Sequence, residues 1–276
     1  MLTKTFFPHG HNTPIEMSVF LKSVRRDALM EPDSALGKLL KNGASESAAG
    51  NNENAALFFT QAAGMLMAHG VRMEMKMASK YYALAAEEYK KAAAKSLTSG
   101  VDGAVLGDLY SKAGRAYRLS GDGRINECIE CYRLSAAYYH AEADLLFTSE
   151  FGKERAEMMS LRSANSNWKV IDALLATGYG SGERKLELAE IYERISDAYG
   201  DIITREHISR SARAISEAVF VLKLTFGDSR LDLSAAFRIL KKAERRHMRN
   251  HDVIGAACSV LEQSSLIKAA DGYRAR

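Results

Sequence analysis

The sequence predicts an all-α fold, built as an α-solenoid of stacked antiparallel helix hairpins. Three observations lead to this prediction. All three prolines lie within the first 32 of the 276 residues, and a long stretch without proline favours uninterrupted helices. Apolar residues recur at helical spacing from Ala55 onward. The pattern also returns along the chain at intervals of 48 to 60 residues, which is typical of repeat architectures.

Residues 1–50 are predicted to be an N-terminal extension with one or two helices and a flexible linker. Thr13-Pro14-Ile15-Glu16 has the form of a capping box with proline at the first helical position, which predicts a helix start. A second, short helix is expected after Pro32 and should end at Asn42-Gly43. Residues 43–54 contain no large apolar side chain, so we expect a flexible loop there.

Residues 51–276 are predicted to form a helical-repeat domain. One helical stripe recurs in it, with small and large side chains alternating at positions i, i+4, i+7 and i+11. Closely packed neighbouring helices require such an alternation of size. The copies of the stripe are Ala78, Tyr82, Ala85 and Tyr89; Cys128, Tyr132, Ser135 and Tyr139; Leu188, Tyr192, Ile195 and Tyr199; and, more weakly, Ala236, Leu240, Ala243 and His247.

The second repeat is the most regular one. A helix over Tyr110–Ser120 carries the small pair Ala113-Gly114 and ends at Gly121-Asp122, and its partner helix opens at Asn126. This pattern resembles a tetratricopeptide-type repeat, and the long helices and tyrosines are similar to those of the soluble attachment proteins of membrane fusion, the SNAP family. The resemblance covers roughly residues 55–250 and implies a right-handed solenoid with a concave, partner-binding side. The tyrosines expected to build the repeat cores are Tyr82, Tyr89, Tyr110, Tyr117, Tyr132 and Tyr139.

The candidate partner-binding residues form a basic stripe near the C-terminal end of the repeats. Residues 238–249 carry six cationic side chains against one carboxylate, a local charge of +5, whereas the whole chain carries +4. A solvated outer face is one interpretation of this stripe. The other is a cationic surface for an acidic peptide or helix of another protein. The stripe consists of Arg238, Lys241, Lys242, Arg245 and Arg249, and Arg246 lies beside it.

Two short motifs have the spacing of metal ligands. Cys128-x-x-Cys131 could be half a zinc site or a redox pair, but the sequence has no second such pair, which favours a packing role. Glu244-x-x-His247 has the spacing of a di-iron helix, yet such a centre needs two of these motifs and only one is present. We therefore predict no metal, cofactor or catalytic residue, although a triad assembled from distant residues stays open.

The sequence predicts a non-enzymatic adaptor that binds a segment of another protein in the solenoid groove. A solenoid that binds nucleic acid or anionic membranes, an all-α enzyme with a pocket between hairpins and a self-assembling structural protein are the alternatives. The basic stripe lacks interleaved aromatic residues apart from Phe237, which disfavours nucleic acid. Phe6-Phe7 would allow a peripheral membrane contact. An odd number of cysteines and the lack of a long apolar run predict a cytoplasmic location, though a secreted effector would look alike.

Overall fold

The computed structural model describes residues 34–69, 72–149, 152–178, 182–200, 202, 204–223 and 233–274. Over these residues the chain has an all-helical fold with ten α-helices, one short 3-10 helix and no strand, which confirms the predicted all-α class and is consistent with an α-solenoid. The helix predicted from Thr13 and the Phe6-Phe7 pair lie outside the described residues. None of the described helices is both long and apolar enough to span a bilayer.

The described helices are numbered here in chain order. They are α1 (Ala35–Ala48), α2 (Asn52–His69), α3 (Arg72–Thr98), α4 (Gly103–Ser120), α5 (Ile125–Phe147), α6 (Lys153–Ala176), α7 (Gly182–Gly200), α8 (Arg205–Lys223), α9 (Leu233–Arg249) and α10 (Val253–Arg274). The 3-10 helix Asp122–Arg124 precedes α5. The chain divides into two compact units, residues 1–88 and 89–276, and the division falls inside α3.

In the first unit, the helix predicted to end at Asn42-Gly43 continues to Ala48. Helix α2 begins at Asn52, so most of the loop predicted at residues 43–54 is wrong. The small, polar composition of this segment suggested a loop, but its packing against α2 favours a helix. The Phe59 ring packs directly on buried Gly43, where a Cβ atom would lie 2.8 Å from the ring. The missing side chain lets the ring cover this turn of α1, which keeps the segment helical. The domain boundary predicted at residue 50 stays a prediction.

In the second unit, each helix from α4 to α10 packs against the next one in the sequence. On α4, Gly107 lies against the ring of Tyr139 and Gly114 lies against the ring of Tyr132. The hydroxyl of Ser135 donates a hydrogen bond of 2.8 Å to the carbonyl of Gly107. Rising residue numbers on α4 therefore meet falling numbers on α5, as in a helix hairpin.

The next pair of helices repeats this arrangement. The hydroxyl of Ser163 on α6 donates to the carbonyl of Ala136 on α5 over 2.9 Å, and the Oγ atoms of Ser135 and Ser166 are 3.0 Å apart. Between α7 and α8 the hydroxyl of Ser211 donates to the carbonyl of Ser196 over 2.7 Å. Buried serines in these seams satisfy their hydroxyls across the helix pair, as buried polar groups require.

The stripe that recurs in the sequence is the buried seam of these pairs. Every stripe residue of α3, α5 and α9 is buried, as are Leu188 and Ile195 of α7, whereas Tyr192 and Tyr199 are half-buried. The prediction that tyrosines build the repeat cores is confirmed, since all six are buried: Tyr82, Tyr89, Tyr110, Tyr117, Tyr132 and Tyr139.

Helices two apart in the sequence are linked by polar contacts. Between α4 and α6, Arg155 pairs with Asp102, and Nη1 of Arg162 lies 3.2 Å from Oδ1 of Asp108. Helices α7 and α9 contact each other, as do α8 and α10. Helices α5 to α9 therefore contact the helices before and after them in the sequence, and these pairs add contacts between helices two apart.

Candidate functional site

The apolar side of α9 is buried, and its burial determines which faces of the helix carry the basic stripe. Ala236, Ile239, Leu240 and Ala243 are fully buried. The spacing of these residues leaves the cations on the remaining faces of the helix, and part of that surface lies against α7. The structure thus places some of the predicted partner-binding residues next to another helix of the same chain.

Helix α7 supplies acidic partners for the α9 cations. Nη2 of Arg238 lies 3.0 Å from Oε2 of Glu193. Nζ of Lys242 lies 2.7 Å from Oε1 of Glu193 and 2.8 Å from Oδ2 of Asp197. Nη2 of Arg246 lies 3.3 Å from the other oxygen of Asp197. We call this set the α7–α9 ladder.

The C-terminal end of α7 completes the ladder. Nη1 of Arg249 donates a hydrogen bond of 3.1 Å to the carbonyl of Gly200, the last residue of α7. Carbonyls at a helix end lack intrahelical partners and carry partial negative charge, so a guanidinium stabilises them. Of the five predicted partner-binding residues, Arg238, Lys242 and Arg249 thus bind α7.

Glu193 is the central anion of the ladder, and its side chain is only 7% exposed. Burial by itself would raise the pKa of Glu193, but the hydrogen bonds from Lys242 and Arg238 outweigh burial and hold that pKa below its ordinary value. The folded state therefore favours the ionised carboxylate. The ladder is a structural feature that joins two helices of the repeat.

The ladder predicts an acid-sensitive stability. Because the folded pKa of Glu193 is lowered, its stabilisation is present above the ordinary value of 4.5 and is lost as the pH falls through the folded pKa. Glu193→Gln should cost about 1–2 kcal/mol of unfolding free energy near neutral pH and less in acid. Denaturant unfolding across this pH range measures both effects.

A matched control is the exposed pair between Glu206 and Arg210 on α8, whose side chains are more than half exposed. Glu206→Gln should change the unfolding free energy by about 0.5 kcal/mol or less, as is usual for surface pairs. Equal losses for the two glutamine variants would contradict the role assigned to Glu193.

Lys241 and Arg245 lie on the solvent-exposed side of α9. Nζ of Lys241 lies 5.2 Å from the centre of the Phe237 ring. Across the part of the chain that the structure describes, neither cation has a carboxylate within ion-pair distance. They are the members of the predicted basic stripe that remain available to a partner.

A groove lies between α5 and α7, with α6 as its floor. It encloses a pocket of about 420 Å³. The α5 and α7 residues on its walls are mostly exposed, whereas Ser163 and Asn167 of α6 are buried. We call it the α5–α7 groove. Its pocket is lined by Arg133, Ala136, Ala137, His140, Ala141, Asp144, Ser163, Asn167, Arg194 and Asp197.

Two arginines face each other in this groove. Burial lowers the pKa of Arg133, and the nearby charge of Arg194 lowers it further. Burial also lowers the pKa of Arg194, although Glu190 and Glu193 act in the opposite direction. Arg133 pairs with Glu187. Among the described residues, Arg194 has no carboxylate within ion-pair distance.

The two cysteines of the Cys128-x-x-Cys131 motif are buried and not disulfide-bonded. Burial raises the pKa of the Cys128 thiol to about 11, so at neutral pH it is protonated and a poor nucleophile or metal ligand. No cluster of His, Cys, Asp and Glu side chains that could hold a metal occurs within the described ranges.

His247 of the Glu244-x-x-His247 motif is hydrogen-bonded at both ring nitrogens. Nε2 lies 3.2 Å from Oγ of Ser216, and Nδ1 lies 2.9 Å from Oδ2 of Asp252. The hydrogen bonds run from serine through histidine to aspartate, as they do in the catalytic triad of a hydrolase. However, Oγ of Ser216 donates to the carbonyl of Ala212 over 2.9 Å, a bond that many serines make within a helix. Oδ1 of Asp252 accepts a hydrogen bond from the backbone N–H of Gly255, as a capping residue does at the start of a helix. We interpret the three residues as a structural network.

Comparisons with known proteins give no family for this chain. No family model matches, and no curated protein matches. Among solved structures, BtubC (BKLC) from P. vanneervenii is 15% identical with a TM-score of 0.34, and the alignment covers 95% of this chain and 94% of that one. The DHF58 filament is 15% identical with a TM-score of 0.39, covering 82% and 98%.

A third solved structure is the TPR2AB-domain:pHSP90 complex of yeast Sti1. It is 13% identical with a TM-score of 0.19, and the alignment covers 85% of this chain and 98% of that one. At TM-scores below 0.5 these similarities do not establish a common fold. The helical-repeat character of the chain is therefore argued from its own helix contacts.

Proposed function

We propose that this protein is a non-enzymatic, cytoplasmic adaptor whose helices form a right-handed solenoid of stacked, tetratricopeptide-like hairpins. The proposal depends on the α5–α7 groove, a partly open cleft of about 420 Å³ whose walls combine charged side chains with apolar alanine surface. An extended or helical segment of another protein fits a partly open cleft better than a small substrate, which is usually enclosed by its pocket. The adaptor would hold that segment against α6.

The exposed cations of α9 would guide an acidic partner toward the protein. Lys241 and Arg245 keep their charge on the solvent side, while Arg238, Lys242 and Arg249 are held by α7. Charges on the rim of an interface raise the rate of association more than they slow dissociation. This division also supports a protein partner over a polyanion, because the ladder neutralises much of the charge that nucleic acid or an anionic membrane would need.

The test begins with the full chain as bait in a lysate of its native host, with and without nuclease. A partner that resists nuclease is identified by mass spectrometry, purified and mapped on the chain by hydrogen exchange. Protection of α5, α6 and α7 on binding supports the adaptor. Recovery of nucleic acid alone, or of proteins that nuclease removes, would replace it with the polyanion-binding alternative.

Charge reversal of the exposed cations should slow binding of this partner. We expect Lys241→Glu/Arg245→Glu to lower the association rate constant by about tenfold at low salt and to flatten its dependence on salt. Stopped-flow mixing measures both quantities. Arg210→Glu, on α8, is the control for a general change in net charge. An unchanged association rate in the double variant would remove Lys241 and Arg245 from the binding surface.

A further inference from the structure

The repeat register shows how the α5–α7 groove differs from the neighbouring α7–α9 contact. A shift of 48 residues carries the stripe of α7 onto that of α9, so Leu188 corresponds to Ala236. The same shift carries Arg194 onto Lys242. Lys242 has two carboxylate partners on the preceding helix of its layer, at 2.7 and 2.8 Å. Arg194 occupies the equivalent place one repeat earlier.

The carboxylates are missing from the equivalent positions of α5. A shift of 60 residues carries the α5 stripe onto that of α7, and it places Arg133 on Glu193 and Ala137 on Asp197. Both α5 residues line the groove together with Arg194. Where the later repeat has two anions around its cation, this repeat therefore has a second cation and a methyl group.

The floor of the groove holds a polar side chain without a partner. Asn167 is 3% exposed and lines the pocket, yet within the described residues its amide makes no hydrogen bond. Because the amide of Asn167 lines the groove, it can donate a hydrogen bond to a ligand that enters there. An amide N–H beside two guanidinium groups is a donor set that suits an oxyanion.

The acidic residues near the groove do not supply that anion. Asp197 is already bound by Lys242 and Arg246. Asp144 is 63% exposed and lies nearest to His140, at 3.7 Å. Glu187 pairs with Arg133, and among the residues that the structure describes Arg194 forms no ion pair of its own. The groove is thus electrostatically complementary to one more negative group.

We propose that the α5–α7 groove binds the carboxylate of an Asp or Glu side chain on the partner segment, with Arg194, Arg133 and Asn167 as its donors. The ligand carboxylate would take the place that Glu193 and Asp197 fill in the next repeat. This inference rests on the proposed adaptor function and names the chemistry of the bound segment as acidic.

The direct test uses a fluorescein-labelled peptide of alternating glutamate and glycine, with fluorescence anisotropy on the full chain. We expect Arg194→Ala to weaken binding by about tenfold or more, as for a lost charge-assisted contact. The peptide with glutamine in place of glutamate should bind weakly or not at all. Arg210→Ala, which removes an exposed cation of α8 that does not line the groove, is the matched control and should retain binding.

A second variant rebuilds the missing carboxylates. Arg133→Glu/Ala137→Asp gives α5 the acidic residues of α7, so Arg194 should gain an internal partner. We expect this variant to lose peptide binding and to keep its helical circular dichroism, with a lower thermal unfolding temperature because Glu187 loses Arg133. Asn167→Asp should also lose binding, because a carboxylate then lies on the floor beside Arg194.

Several outcomes would overturn the inference. They are equal losses for Arg194→Ala and Arg210→Ala, retained binding in the rebuilt variant, equal affinity for the glutamine peptide, or no binding to the unmodified protein. Displacement of the peptide by millimolar inorganic phosphate as effectively as by free glutamate peptide would point to a general anion site and also overturn it. A nuclease-resistant partner that protects α5 to α7 in spite of these results would leave the adaptor function standing.

Discussion

Replacing Gly107 and Gly114 together with alanine should destabilise the second unit strongly, although alanine is the better helix former. Both glycines lie inside α4, where this change ordinarily gains about 1 kcal/mol each. Here a Cβ on Gly107 would lie 2.7 Å from the ring of Tyr139, and one on Gly114 would lie 2.9 Å from the ring of Tyr132. Overpacking of this kind costs about 1–3 kcal/mol per site, so after the gain in helix propensity we expect a net loss of up to about 4 kcal/mol for the pair.

The matched control comes from the repeat itself. Gly64 of α2 corresponds to Gly114 under a shift of 50 residues, yet a Cβ there would lie 3.9 Å from the hydroxyl of Tyr82. Gly64→Ala should therefore be neutral or stabilising by up to about 1 kcal/mol. Denaturant unfolding followed by circular dichroism measures all three sites. A stabilising effect at Gly114 would show that α4 and α5 do not approach as closely as described.

The seam of the fold could be predicted from the sequence because it depends on size and periodicity. The spacing of Tyr132 and Tyr139 identifies the buried side of α5, and the small residues opposite identify where helices meet. These are properties of single helices, which a sequence displays directly. The loop predicted at residues 43–54 failed for the opposite reason, since the helix there depends on contact between Gly43 and Phe59.

The basic stripe could be located but its environment could not be predicted. The spacing of Arg238, Lys242 and Arg249 shows that they share a face, but a single helix does not show whether another helix covers that face. A usable signal was present in Glu193 and Asp197, which have matching spacing on the helix one repeat earlier. Comparing charges between equivalent helices, as well as apolar residues, would have indicated the ladder.

The sequence did not indicate the groove, because the groove is marked by carboxylates that are missing from α5 and not by a motif that is present. Arg194 is unremarkable in an exposed helix, and only the α7–α9 ladder shows which partners an equivalent cation has. Asn167 gives no signal at all in the sequence, since its burial without a hydrogen bond depends on how α5 and α7 flank α6. Sites that a repeat fold leaves incomplete are therefore found by comparing its repeats in the structure.

Replacing Gly255 with alanine should disrupt the network at the junction of α9 and α10. A Cβ at this position would lie 2.5 Å from Nδ1 of His247 and still closer to Oδ2 of Asp252. His247 is 6% exposed and hydrogen-bonded at both nitrogens, so its ring cannot move away without losing Ser216 or Asp252. We expect Gly255→Ala to cost about 2–4 kcal/mol of unfolding free energy, from the clash and the broken hydrogen bonds.

A double-mutant cycle separates this packing effect from a change in helix propensity. His247→Ala alone should also be destabilising, because it empties a buried position that Tyr139 and Tyr199 fill in the earlier repeats. In that background the ring is gone and partly exposed Asp252 can turn aside, so Gly255→Ala should cost little or nothing. The expected coupling is about 1–3 kcal/mol. Additive effects of the two substitutions would mean that His247 and Gly255 do not touch, and that the ring is not clamped between Ser216 and Asp252.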